Sequence, residues 1–304
     1  MERRERAVGS VLGLALGDAL GAPFEFRRAA QIPSPVPAFE LPWRGLPPGT
    51  TTDDTAMARN LMRSLIANDG HLDAVDVLRR HVEWLATDPP DIGNLTRRVL
   101  SRAREGAADP AREYVEQRGP EVSAGNGSVM YCAPLGIAYA NRPGELVDAA
   151  PSLSAITHWD ERCRTACLAV TLAVAALVRG EKPREAVVRA VAAVSGREGA
   201  EELEELVDTA GVTRPIDGPD QGFVLFTAGV ALRTAAEAPP FDDGLRAVVA
   251  LGGDTDTNAA VTGALLGALH GRIGLPKKWL AGLVDANALG ADAEALARFA
   301  TVGG

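Results

Sequence analysis

The stretch VVALGGDTDTNAAVTGALLGALHG, residues 248–271, sets two acids and two threonines between a glycine pair and a long apolar run. From residue 257 to 270 the small and apolar residues recur at helical spacing, and the Gly-Ala pairs of TGALLGALHG predict a helix in close contact with another inside a core. Asp254, Thr255, Asp256 and Thr257 then stand at the mouth of a buried helix, where charge is costly unless something compensates it. A second cluster, TTDDTAMA at residues 51–58, has the same ingredients much earlier in the chain and also precedes a helical run.

The same periodicity predicts helices over 6–20, 54–68, 72–86, 92–107, 128–140, 161–179, 183–194, 222–236, 242–251, 257–270 and 277–286. The alternating Val, Thr and Tyr runs that mark strands are few, and connections such as RRAAQIPSPVPAFELPWRGLPPG are Pro- and Gly-rich, hence irregular. The expected class is all-α: one globular domain over residues 1–304, built from many short helices crossing at varied angles. Neither a linker nor a repeat of fixed period divides the chain.

With 46% hydrophobic and 23% charged residues, the composition is that of an ordinary globular protein with a sizeable core. A formal net charge of -9 argues against a broad nucleic-acid surface, which needs clustered Lys and Arg. Cys132, Cys163 and Cys167 are too few for a disulfide framework or a zinc knuckle and read as buried thiols, in keeping with a reducing cytoplasm. The N-terminus MERRERAVGSVLGLALGDALGA imitates a secretory signal, but Glu2 and Glu5 dilute its positive end and Asp18 interrupts its apolar end. Export is not expected. No apolar run elsewhere reaches the ~20 residues that span a bilayer, so no membrane partner is expected either.

On a regular helix, positions two apart diverge by about 200°, so Asp254 and Asp256 belong on the lead-in, with Gly252 and Gly253 permitting the bend. Adjacent Asp53 and Asp54 diverge by about 100° on the same geometry. A helix start favours negative charge, and one acid per cluster could simply be an N-cap. One cap needs only one acceptor, so capping does not explain all four acids. If the clusters converge, each like-charged pair at ~4 Å costs on the order of 4 kcal/mol at an effective dielectric of 20. Two divalent cations would cancel that charge. The donors Thr52, Asp53, Asp54, Asp254, Asp256 and Thr257 offer oxygen only, which selects Mg, Mn or Ca over Zn or Cu. The acid ladder of an EF-hand is missing.

Between the clusters, SAGNGSVMYCAPLG places Gly125 and Gly127 where backbone N–H groups could converge, and Ser128 is expected to open an apolar helix whose N-terminus could receive a phosphate. An Asn-Gly pair is also a common plain turn.

Four motifs in order, GLALGDALGAPFEF, TTDDTAMA, AGNGSVMYCAPLG and LGGDTDTNAAVTGALLGALHG, make the chain resemble the ADP-ribosylglycohydrolases of the dinitrogenase-reductase-activating type from Gly13 to Gly271. The resemblance implies an all-helical domain with a binuclear Mg or Mn centre held by Thr52, Asp53 and Asp54 on one side and Asp254, Asp256 and Thr257 on the other. It also implies that Glu25 lies near the metals and moves or handles protons, and that Asp91 contributes to substrate contact or catalysis. Gly125, Asn126, Gly127, Ser128, Val129 and Met130 are implied to line the pyrophosphate and ribose of ADP-ribose, with His158 bordering the nucleotide. Relatives commonly carry Arg after the GNGSxM pattern, whereas this chain has Tyr131, so a salt bridge from that position is not expected.

The implied activity is release of ADP-ribose from a modified protein side chain, arginine in first preference, or from another ADP-ribosyl conjugate. Two other readings stand beside it. A protein of this fold could bind ADP-ribose without turning it over. The DTDT sequence also fits an aspartyl-phosphatase pattern, which would require a strand end in an α/β fold.

Overall fold

Helix α1 (Arg3–Gly21) runs antiparallel to a late helix, Thr255–His270, along a ladder of small residues. A Cβ on Gly9, Gly13, Gly17 or Gly21 would overlap the backbone carbonyls of Gly267, Gly263, Ala259 and Thr255 respectively, so at every fourth residue the two backbones touch. Glycine spaced by four forms one row on a helix, and here the row replaces side-chain interdigitation with direct backbone contact. The close contact expected of TGALLGALHG is present, and its partner is the N-terminal helix. Residues 3–24 are long and apolar enough to cross a membrane, yet 94% of the apolar 18-residue window within them is buried inside the fold itself.

The structure, a computed structural model, describes residues 1–119, 123–208 and 215–301. After α1 come α2 (Asp53–Ala67), α3 (Ala74–Leu85), α4 (Asn94–Arg104), α5 (Pro110–Arg118), α6 (Ala133–Ala138), α7 (Leu146–Ala155) and α8 (Glu161–Val178). They are followed by α9 (Pro183–Ala192), α10 (Ala200–Asp208), α11 (Val224–Glu237), α12 (Phe241–Val249), α13 (Thr255–His270), α14 (Lys277–Gly282) and α15 (Ala286–Thr301). Among the described residues the strands are two-residue pieces, β1 (Arg27–Arg28) and β2 (Gly252–Gly253), paired antiparallel. The fold is all-α, as expected. One core cluster extends from Ala7 to Ala300 and draws on α1, α8, α11 and α13. Cys132, Cys163 and Cys167 are free and buried.

The expected helix over 128–140 is a correction. Residues 126–131 form turns, and α6 begins only at Ala133, with Pro134 in its first turn where the missing N–H costs nothing. Ser128 therefore opens no helix, and a phosphate resting on such an N-terminus is not supported. The expected helix over 277–286 ends at Gly282. Asp285 takes a left-handed φ of 59° and α15 starts immediately after it. Helices α5, α7, α10 and α15 lie outside the expected set. The α/β sheet that a phosphatase reading of DTDT requires is absent among the described residues.

Candidate functional site

Helix α1 positions both acidic clusters. Its Asp18, fully buried, accepts hydrogen bonds from the Thr52 amide at 3.0 Å, the Thr55 amide at 3.1 Å and the Thr55 hydroxyl at 2.5 Å, and so holds the first turn of α2. Burial pushes the Asp18 carboxyl up to about 6, with those hydrogen bonds pulling the other way. One turn later Gly21 packs on the first turn of α13, and the Thr255 hydroxyl donates to the Gly21 carbonyl at 2.8 Å. The N-termini of α2 and α13 are thereby fixed to a single helix.

The short pairing of β1 with β2 carries the next link. Gly252 and Gly253 both adopt positive φ, 74° and 76°, and a Cβ on either would overlap backbone, on Gly252 that of Arg27 and Ala29, on Gly253 that of Ile216. The Phe26 amide donates to the Gly253 carbonyl at 2.7 Å, which brings Glu25 beside Asp254 and Asp256.

The clusters converge. Thr52 is the N-cap of α2, its hydroxyl accepting from the Asp54 amide at 3.3 Å and donating to Asp54 Oδ2 at 3.1 Å. Across the gap, the Thr257 hydroxyl donates to the same Asp54 oxygen at 3.4 Å. Asp254 occupies the N-cap position of α13 without capping it, and instead accepts from Asn126 Nδ2 at 2.8 Å. Asp53 Oδ2 accepts from the Gly93 amide at 3.1 Å, and Asp256 Oδ1 from the Thr257 amide at 2.9 Å. A single cap per helix does not account for these acids.

Electrostatics follow from the crowding. Burial first, then Asp18, Asp53 and Asp254, push the Asp54 carboxyl well above the usual carboxylate range. Asp256 is raised likewise, by burial and then by Asp254, Glu25 and Asp54. Asp53 is pushed up to about 7 by burial and then by Asp91, while Glu25 reaches about 8 by burial, Asp91 and Asp254 against the opposing pull of Arg44. Burial raises Asp91 too. Single carboxylate oxygens of Glu25, Asp91 and Asp256 all lie within 4.8 Å of one another. The buried Asp54 Oδ1 has no hydrogen-bond partner. An oxygen-only donor set with crowded charge and an unpartnered buried carboxylate oxygen fits a hard cation.

The acids open onto a cleft of about 390 Å³ that is also lined by Gly125, Asn126, Gly127, Met130 and His158. The structure thus brings these five beside Glu25, Asp53, Asp91, Asp254, Asp256 and Thr257. Thr52 and Asp54 sit behind this wall, both buried. Ser128 and Val129 face elsewhere: the Ser128 hydroxyl bonds that of Ser154 at 3.0 Å, and Val129 belongs to the core. The small size of Gly127, rather than a special φ, is what its place requires. A Cβ there would stand 2.7 Å from His158 Cε1, so glycine lets the imidazole pack against the loop. Burial holds His158 neutral, pushing it down to about 3, and its Nδ1 pairs with the Thr157 hydroxyl at 2.9 Å. The Tyr131 hydroxyl reaches the same Thr157 oxygen at 3.2 Å, so the residue that departs from the GNGSxMR pattern supports His158 from behind.

Asp18 and Arg44 are site-building residues that the sequence reading did not single out. The signal for Asp18 was available: an acid inside the apolar run LALGDALG must be paired when buried. Arg44, in the irregular loop, makes ion pairs with Glu25 at 3.5 Å and Asp91 at 3.1 Å. No sequence pattern marks that contact.

Comparison with known proteins agrees with the architecture. The ADP-ribosylglycohydrolase family model matches residues 1–303. The chain is 32% identical to the ADP-ribosyl-[dinitrogen reductase] glycohydrolase of Rhodospirillum rubrum, over 92% of this chain and 90% of that one. It is 29% identical to human ADP-ribosylhydrolase ARH3, over 89% and 87%. It is also 28% identical to the ADP-ribosylarginine hydrolase Tri1 of Serratia proteamaculans, over 93% and 76%. A solved structure described as an ADP-ribosylglycohydrolase-related protein complex superposes with a TM-score of 0.82 at 33% identity, covering 98% of this chain and 99% of that one. With both the fold and the full-length match in agreement, the chain belongs to the ADP-ribosylglycohydrolase family.

Proposed function

We propose that this protein hydrolyses the bond between the anomeric carbon of ADP-ribose and an acceptor, with an arginine side chain as the preferred acceptor and two Mg or Mn ions as cofactors. The observation that carries this reading is the convergence of the α2 and α13 acids in a cleft that Gly125, Asn126, Gly127, Met130 and His158 also line. Thr52, Asp53 and Asp54 would hold one side of the cation pair, and Asp254, Asp256 and Thr257 the other. The cations would supply charge cancellation and Lewis acidity toward ribose hydroxyls and water.

The remaining chemistry is assigned to the chain's own groups. The reaction adds water across the glycosidic bond and releases ADP-ribose and the free acceptor. A proton must reach the leaving nitrogen or oxygen as that bond breaks. Glu25 and Asp91, whose carboxylate oxygens lie within 4.8 Å of each other and of Asp256, are the groups placed to hand over that proton. Asn126 orients Asp254 from the nucleotide side of the cleft, and its amide nitrogen also donates to the Thr227 hydroxyl at 3.1 Å. Neutral His158 offers a hydrogen bond to the nucleotide without adding charge.

The test is incubation with defined arginine-, serine- and ester-linked ADP-ribosyl conjugates in Mg or Mn, with free ADP-ribose as readout. Metal-dependent release, fastest from the arginine conjugate, is expected. Tight ADP-ribose binding with no release from any conjugate would leave a binding protein instead.

A further inference from the structure

Arg44 places a guanidinium in the acidic mouth of the cleft. Its Nη2 lies 3.1 Å from Asp91 Oδ1 and 3.5 Å from Glu25 Oε2, and its Nη1 donates to the Pro90 carbonyl at 2.9 Å. The side chain lines the same cleft as Asp256 and the 125–130 loop, and lies over the Trp43 ring at 5.1 Å. Its backbone is built for this aim. Trp43 and Leu46 exchange both backbone hydrogen bonds, at 3.2 and 2.7 Å, around a two-residue turn in which Arg44 and Gly45 have φ of 48° and 81°. Two successive left-handed residues define a type I′ turn, and an arginine in its first position, where Asn, Asp or Gly is usual, is uncommon.

We propose that Arg44 is a specificity-determining residue that occupies the acceptor position with its own guanidinium and must swing aside when an arginine-linked substrate enters. The inference rests on the reading of the cleft given above. A pair of carboxylates facing one guanidinium nitrogen, with a carbonyl on the next, is a site that suits a guanidinium. Two guanidinium groups cannot share one pair of acids at contact distance without strong repulsion, so one of them leaves. Arg44 is the one able to leave, because its side chain is 46% exposed on a surface turn and can extend into solvent. A serine- or ester-linked substrate presents no cation and leaves Arg44 in place.

The test uses the full chain and two variants, Arg44→Ala and Arg44→Lys. Agmatine serves as the guanidinium probe, followed by NMR titration in Mg with ADP-ribose present. Arg44→Ala is expected to bind agmatine about five-fold tighter than the wild type, the scale of a lost partly exposed ion pair, whereas Arg44→Lys, which keeps the charge, stays near the wild type. In kinetics, Arg44→Ala is expected to lower KM for the arginine-linked conjugate by a similar factor and not for the serine-linked one. Unchanged or weaker agmatine binding in Arg44→Ala, or no binding in any of the three proteins, overturns the proposal. Failure of all three to release ADP-ribose from any conjugate overturns the proposed hydrolysis, while the agmatine titration still decides the role of Arg44.

Discussion

The hydroxyl of Thr257 donates to Asp54 Oδ2 across 3.4 Å, joining the first turns of two helices whose residues stand 203 apart in the chain. Each of those turns directs its unpaired N–H groups and positive dipole end toward the same small volume, which favours anionic side chains there. The dipoles do not neutralise so many buried carboxyls, and the raised carboxyls of Asp53, Asp54 and Asp256 register the deficit. A site that is costly without a cation and built from oxygen donors is the physical core of the proposed function.

The glycine ladder should control both stability and the site. Gly17→Ala forces a Cβ into the Ala259 carbonyl and must part α1 from α13, which also separates the Gly21 carbonyl from the Thr255 hydroxyl. A loss of about 3 kcal/mol in denaturant unfolding is expected, at the upper end for overpacking. Gly144→Ala, where a Cβ meets nothing within 4 Å, should change stability by no more than about 0.5 kcal/mol. Equal midpoints for Gly17→Ala and wild type would remove the ladder from the account.

Asp256→Asn should trade function for stability. In a chelator it removes one buried charge that its neighbours oppose, so the variant is expected to be more stable than wild type by on the order of 1 kcal/mol. Added Mn should raise the wild-type melting temperature and leave that of the variant nearly unmoved. Turnover should fall below detection with helical circular dichroism intact.

Tyr131→Phe deletes the hydroxyl that meets the Thr157 oxygen behind His158. ADP-ribose affinity should fall about five-fold, the scale of one hydrogen bond, while Mn affinity stays constant because no proposed ligand is touched. Calorimetric titration with each partner separates the two effects.

His81 provides a pH signature away from the acids. It is fully buried, stacked edge-on against Tyr131, and pushed down to about 3 by burial alone. The unfolded chain takes up its proton near pH 6.5 and the folded chain does not, so this residue's contribution to stability is present above that pH and is lost as pH falls toward 3. Between pH 6 and pH 4, wild type should therefore lose on the order of 1 kcal/mol per pH unit more than His81→Gln. Parallel stability curves for the two proteins would show that His81 titrates when folded.

The beginnings of α2 and α13 could be read from the sequence because capping residues, first-turn acids and an apolar run coincide there, and each cluster holds more acids than one cap needs. The all-α class was legible from the same periodicity. Other elements were hidden for local reasons. Helix α7 contains Pro151, and α5 begins at Pro110 in a charged stretch with little apolar pattern. Helix α15 is separated from α14 only by the left-handed Asp285, which no pattern announces. Ser128 was misread as a helix start because the turns at 126–131 are apolar and small, like a helix face. Asp18 is marked in the sequence by its place inside an apolar run, but Arg44 owes its importance to contacts across the fold, which a one-dimensional pattern does not contain.

Anomalous diffraction from a crystal soaked in Mn tests the central claim most directly. Two peaks are expected between the first turns of α2 and α13, one nearer Asp53 and Asp54, the other nearer Asp254 and Asp256. Manganese absent from that gap at saturating concentration, or bound only at surface acids, would contradict the account.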